Sequence, residues 1–364
     1  MPKGGVLHAH LSAVNSRNFI LNNITDRENL YVCRDQRDGA PRLRFFRYGA
    51  AAAASRVDRS CRWRLLAEVR QKDRSIDEEI DQALTMYAGG ERLGRIRNSN
   101  DAWRKFLNLF DFVKSLFSFN FMDDHADFVA VKIIYSPHRN IPRSTLDEYI
   151  GKFRLFKEAY PELVVGFDLV GQEDRGRPLL DFVDELLELG RDTQFYFHAG
   201  ETNWNGHEVD ENLIDAVLLN AKRIGHGFAL IKHPKLMEIV KEKKIVVEVS
   251  PISNQVLKLV GDMRNHPAAH FFATNLPVVI SNDDPGFWGA TGLSHDYYEA
   301  FVGIMSRKTD LRSLNSIEHS SLSDKERALA EEAWTRRWKT FVRQIIMDSD
   351  DRETLSSSYY RYEI

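Results

Sequence analysis

Gln194-Phe195-Tyr196-Phe197-His198-Ala199-Gly200-Glu201 (residues 194–201) runs from an apolar, aromatic stretch into a histidine, a glycine and a carboxylate. The stretch has the length and composition of a buried strand, and its polar groups come where the strand ends. A strand that is apolar throughout is covered on both faces, as in a parallel sheet flanked by helices. The same arrangement recurs along the chain. Gly5-Val6-Leu7 leads into His8-Ala9-His10, Ile224-Gly225 into His226-Gly227, and Val278-Val279-Ile280 into Ser281-Asn282-Asp283-Asp284-Pro285. Chemically capable side chains at the ends of several separate strands describe the mouth of a parallel barrel.

The intervening sequence fits that reading. Strand patterns at Phe128–Tyr135, Leu163–Leu169 and Ile245–Val249 alternate with helical patterns at Leu146–Tyr160, Leu179–Leu189, Asn212–Ala221 and Pro234–Lys241. Alternation of this kind produces parallel strands joined by crossover helices. The expected fold class is therefore α/β, a TIM-type (β/α)8 barrel. Seven strands are evident where a closed barrel wants eight. Either Ser118–Met122 serves as the second strand, or the barrel is lacking or distorted there. Residues 1–350 are read as a single barrel domain and 351–364 as a polar C-terminal tail. The Arg-rich segment from about 22 to 74 is read as an irregular insertion after the first strand, and it carries Cys33 and Cys61.

With 364 residues the chain is long enough for one large barrel with insertions, and its 43% hydrophobic content is globular. Fifty basic against 53 acidic residues, a net charge of −3, give no electrostatic case for a nucleic-acid or anionic-membrane partner. No apolar run is long enough to span a bilayer. On composition alone, two free thiols and one disulfide are equally open for the cysteines. The sequon Asn23-Ile24-Thr25 nearby favours an extracellular setting, whereas the start Met1-Pro2-Lys3 shows no signal peptide.

Alternate residues of a strand face one way, so His8 and His10 can hold one metal ion from a single strand end. Catalytic zinc takes imidazole and carboxylate ligands and leaves a position for water. Each motif has a plainer explanation. Histidine pairs occur in cores, Glu201 could cap a helix start, and Asp-Pro sequences form solvated turns. Jointly, so many suitable groups at four strand ends favour metal-assisted hydrolysis.

These segments also resemble the adenosine deaminase family, most closely its secreted growth-factor-related branch. The resemblance rests on MPKGGVLHAH (1–10), VKIIYSPHR (131–139), GFDLVGQED (166–174), YFHAGET (196–202), RIGHGFAL (223–230), VSPISNQVLKLV (249–260) and ISNDDPGFWGA (280–290). It implies a metallo-dependent hydrolase barrel and one zinc ion held by His8, His10, His198 and Asp283. Glu201 would be the proton donor to the purine ring, and His226 would take a proton from the attacking water and orient it. The Gly171 amide and Asp284 would hold other ring nitrogens, and His138 with the stretch from Trp103 to Phe110 would meet the ribose. The implied substrate is a small purine nucleoside, adenosine or 2′-deoxyadenosine, hydrolysed to inosine or deoxyinosine and ammonia. By the same resemblance Cys33 and Cys61 would pair in a secreted protein.

Three departures stand out. Leu11 and Ser12 occupy positions where the family often has an aspartate at the ribose, so weaker substrate binding is expected. The branch's dimerisation segment and signal peptide do not precede Met1. The region before Phe128 is markedly shorter than in the family. The alternatives these leave open are a catalytically weak or inactive secreted relative acting in binding or signalling, a deaminase of adenine or AMP, and an incomplete product that never folds stably.

Overall fold

The computed structural model describes residues 1–359 other than 11, 12, 38, 47–49, 58, 87–97, 104, 107–128 and 307–312. Its first sheet lies in the insertion. Strand β1 (Leu30–Arg34) runs antiparallel between β2 (Pro41–Phe45) and β3 (Arg64–Leu65). The segment 22–74 is therefore more regular than its composition suggests. Pro41-Arg42-Leu43-Arg44-Phe45 alternates apolar residues with arginine, a period-two pattern too brief to stand out among many arginines. Cys33 on β1 is disulfide-bonded to Cys61, with Cα atoms 5.5 Å apart. Leu30, Val32, Leu43, Leu66, Ile76 and Ile80 bury their side chains together with Phe287 and Trp288. This small core thus backs the turn that follows Asp283-Asp284.

The main body is a run of parallel strands. They are β4 (Ile133–Tyr135), β5 (Val164–Phe167), β6 (Gln194–Phe195), β7 (His198–Ala199), β8 (Arg223–His226), β9 (Val246–Val249) and β10 (Val278–Ile280). One sheet has the order β4-β5-β6 and the other β10-β9-β8-β7. β6 and β7 are two halves of one extended run, since Tyr196 N–H donates to Phe167 and Gly225 N–H to Phe197 across the break. At the far edge Ala9 bridges Asp283 in parallel. The order is thus β4, β5, β6/β7, β8, β9, β10 and the His8–His10 segment, seven strand positions in sequence around an arc. Among the described residues none lies between the Ala9 segment and β4. Ser118–Met122, the candidate for that place, falls outside the described residues, as does Phe128.

Helices cross between successive strands. Arg143–Ala159 lies between β4 and β5, Asn212–Leu218 between β7 and β8, Pro234–Glu242 between β8 and β9, and Ala268–Ala273 between β9 and β10. In the first, Leu146, Ile150 and Phe153 recur at helical spacing and are buried. Pro234 starts its helix where a missing N–H has no cost. These faces pack on Val164, Phe167, Phe195, Phe197, Ile224, Val247, Val249 and Ile280 in one continuous core. Truncating a fully buried member such as Phe153 to alanine would cost about 3–5 kcal/mol. A long C-terminal helix spans Asp324–Tyr359. Among the described residues no helix is long and apolar enough to cross a membrane.

Candidate active site

The strand ends deliver their histidines to one point. His8, His198, His226 and Asp283 each offer a ligand atom, and these atoms lie within 4.8 Å of one another, all buried. His10, Asp283 and Asp284 form a second such group, joined to the first through Asp283. His10 Nε2 lies 3.0 Å and His8 Nε2 3.3 Å from Asp283 Oδ1. The ring centroids of His8 and His198 are 4.4 Å apart, and those of His10 and His198 5.4 Å. Backbone geometry contributes, since His226 and Asp283 both adopt positive φ, 61° and 54°. Non-glycine residues hold that conformation at a cost, and such strain concentrates where a side chain has to be aimed.

Two of the imidazoles are oriented from behind. His8 Nδ1 lies 3.0 Å from Glu248 Oε2, and His198 Nδ1 lies 2.6 Å from Asp168 Oδ2. A carboxylate fixes the proton on the nitrogen it faces, so each ring turns a lone pair at Nε2 toward the cluster. Glu248 is held in turn by Arg223. Ser253 Oγ donates to Asp283 Oδ2 at 2.6 Å. His8 Nε2 and Asp283 Oδ1 are buried with no partner in hydrogen-bonding geometry. Buried polar atoms are ordinarily satisfied, so this convergence of bare acceptors fits a cation. Burial works against the Asp283 carboxylate, yet the adjacent imidazoles of His10 and His8 hold its carboxyl well below the ordinary range.

Two carboxyls behave in the opposite sense. Burial, followed by the charges of Asp283 and Glu173, pushes Glu201 well above its usual pKa. Burial and the charge of Asp283 do the same for Asp284. One oxygen of each is buried without a hydrogen-bond partner. Glu201 Oε1 lies 3.4 Å from His226 Nε2. Its backbone N–H donates to Glu173, which also accepts from Asn212 Nδ2 at 2.9 Å and pairs with Arg139 at 3.1 Å. Arg139, itself wholly buried, donates to the carbonyl of His198 at 2.6 Å.

The structure thus brings His8, His10, His198, His226, Asp283, Asp284 and Glu201 together. Beyond the end of β5, Gly171 at φ 101° lies against His138, and a Cβ there would sit 2.4 Å from the His138 Nε2. Trp103 is buried in the smaller core with its ring on Phe106. Phe110, Leu11 and Ser12 lie outside the described residues. The orienting groups Asp168, Glu248, Glu173 and Arg139 are not among the residues that the sequence motifs single out. The available signal was a charge inside an apolar strand, as in Gly166-Phe167-Asp168-Leu169 and Val246-Val247-Glu248-Val249.

The family model for adenosine deaminase matches residues 126–334. An adenosine deaminase of Lutzomyia longipalpis is 38% identical across 94% of this chain and 78% of that protein. Human adenosine deaminase 2 is 34% identical across 95% and 79%. The fold also matches a crystal structure of an amidohydrolase with bound zinc from a Burkholderia, at a TM-score of 0.57 and 18% identity, covering 94% and 92% of the two chains. The aligned span with the Lutzomyia protein, 404 positions, exceeds the 364 residues here, so that relative carries segments with no counterpart in this chain. Sequence match, barrel fold and a buried His/Asp metal site agree, and the chain belongs to the adenosine deaminase family.

Proposed function

We propose that this protein catalyses the hydrolytic deamination of adenosine or 2′-deoxyadenosine, with one zinc ion held by His8, His10, His198 and Asp283. The observation that carries the reading is the buried meeting of His8 Nε2 and Asp283 Oδ1, neither with a hydrogen-bond partner, beside two further imidazoles. When bound, zinc supplies the Lewis acidity that makes water nucleophilic near neutral pH. The protein's own groups do the rest. Glu201, its carboxyl pushed well above the usual range by burial, delivers a proton to the ring nitrogen beside the reacting carbon. Asp284, raised for the same reason, can donate to a second ring nitrogen, which is an acceptor only. The Gly171 amide holds a third position, and His138 with Trp103 serves the ribose side. His226 orients the attacking water. The Cys33–Cys61 disulfide and the exposed Asn23 of the sequon support an extracellular setting.

The test combines zinc content of the purified protein with the change in ultraviolet absorbance on adding adenosine. Stoichiometric zinc together with turnover is expected. Zinc-loaded, folded protein that leaves both nucleosides unchanged would overturn the reading.

A further inference from the structure

Behind His226 runs a line of hydrogen bonds that starts at a group with only one possible role. The backbone N–H of Ala268 points at His266 Nδ1 at 3.1 Å, and a backbone N–H can only donate. His266 Nδ1 is therefore the bare nitrogen, and a neutral ring carries its hydrogen on Nε2. That nitrogen lies 3.0 Å from Asn254 Oδ1, which accepts it. With its oxygen so engaged, the Asn254 amide turns its NH2 to His226, and Nδ2 lies 3.4 Å from His226 Nδ1. Asn254 is wholly buried, and His266 and His226 are 3% and 2% exposed, so water does not compete along the line. Each partner is the only one that leaves no donor facing a donor.

We propose that Ala268, His266 and Asn254 form a positioning relay that fixes His226 in its Nε2–H tautomer. The consequence bears on what His226 does. Within 4.8 Å of the other ligand atoms it is as well placed to bind a metal as His198 is. A ligand nitrogen needs a bare lone pair, and the relay puts a hydrogen there instead. The ring is thereby kept out of coordination and left as a donor that orients an oxygen, which leaves His10 as the third imidazole ligand. A ring so fixed points a hydrogen at Glu201 Oε1, 3.4 Å away, so that oxygen is the acceptor side and any proton Glu201 carries sits on its other oxygen. Burial favours the neutral ring at His266, lowering its pKa to about 4. The inference rests on the deaminase reading only for its bearing on catalysis.

The test is nitrogen-15 NMR of histidine-labelled, zinc-loaded protein, with the His226 signals assigned by their loss in His226→Asn. A hydrogen on Nε2 and a bare Nδ1 are expected, and the reverse tautomer overturns the relay whatever the activity. His266→Gln retains a donor toward Asn254 and should keep the tautomer and most of the turnover. His266→Leu removes the donor and frees the amide to turn. It should lose the fixed tautomer and drop kcat by about 10-fold or more at unchanged zinc content, with KM within about twofold. Equal losses in the two variants, or an unchanged tautomer in His266→Leu, would mean that His266 merely fills space. Wild-type protein with the expected tautomer but no deamination would remove the proposed function and leave the relay standing.

Discussion

At the scale of single residues the site is built from pairs in which one member does chemistry and the other aims it. Glu201 shows the first kind. Replacing it by glutamine preserves shape and the backbone bond to Glu173 while removing the transferable proton. We expect kcat to fall by about 10²–10⁴-fold with zinc still bound, read by parallel turnover and metal assays; near-normal turnover would remove Glu201 from the proton path. Glu248 and Asp168 show the second kind. Each faces the Nδ1 of a buried imidazole, at 3.0 Å and 2.6 Å, and sets which nitrogen is bare. Asp168→Asn should weaken zinc binding by about 10–100-fold, measured by competition with a chelator, and unchanged affinity would show that His198 is aimed by packing alone. The ligand-type residues were legible in the sequence because histidine and aspartate are conspicuous after apolar runs. Their aiming partners were not, since a single carboxylate within a strand resembles any stray charge until another strand brings a histidine to it.

At the scale of elements, each strand end carries a task because parallel strands all finish on the same side of the sheet. Seven strand positions and the crossover helices could be read from periodicity, since Leu146, Ile150 and Phe153 or Val246 to Val249 repeat over enough residues to be unambiguous. The insertion could not. Its strands are two to five residues long, and arginines such as Arg42 and Arg44 hide the alternation. Pairing of β1 with β2 and β3 is a tertiary fact, and the disulfide fastens it. Cys33 and Cys61 are 28 residues apart, so chain-entropy reasoning gives the bond about 3–4 kcal/mol. Cys33→Ser should therefore lower the unfolding temperature of the whole protein, because the small core behind the disulfide includes Phe287 and Trp288 beside the metal-site turn. Scanning calorimetry with and without reductant checks this. A wild-type protein indifferent to reductant would show that the insertion contributes little to the barrel.

At the scale of the whole molecule, burying this many carboxylates around one point makes stability depend on pH. The site itself is governed by whatever cation it holds, so the informative group lies outside the ligand set. Asp296, on the helix Gly292–Glu299, accepts the N–H of Ile252 at 3.1 Å and so ties the start of the helix after β9 to the helix after β10. Its other oxygen is buried without a partner. Burial raises its pKa from 3.8 to about 8, and the nearby charge of Asp283 adds to the effect. The folded protein thus holds this proton more tightly than the unfolded chain does. Stability linked to Asp296 is complete below about pH 4 and declines as pH rises toward 8, where the folded group finally ionises. Asp296→Asn keeps a carbonyl for Ile252 and places an NH2 where the protonated carboxyl carried its hydrogen. Denaturant unfolding of zinc-loaded protein at pH 5.5 and pH 8 should then show a smaller loss of stability in the variant than in the wild type, by a few kcal/mol or less. Identical losses in the two proteins would mean that Asp296 ionises freely in the fold, and the bridge between the two helices would have to be carried by a charged carboxylate.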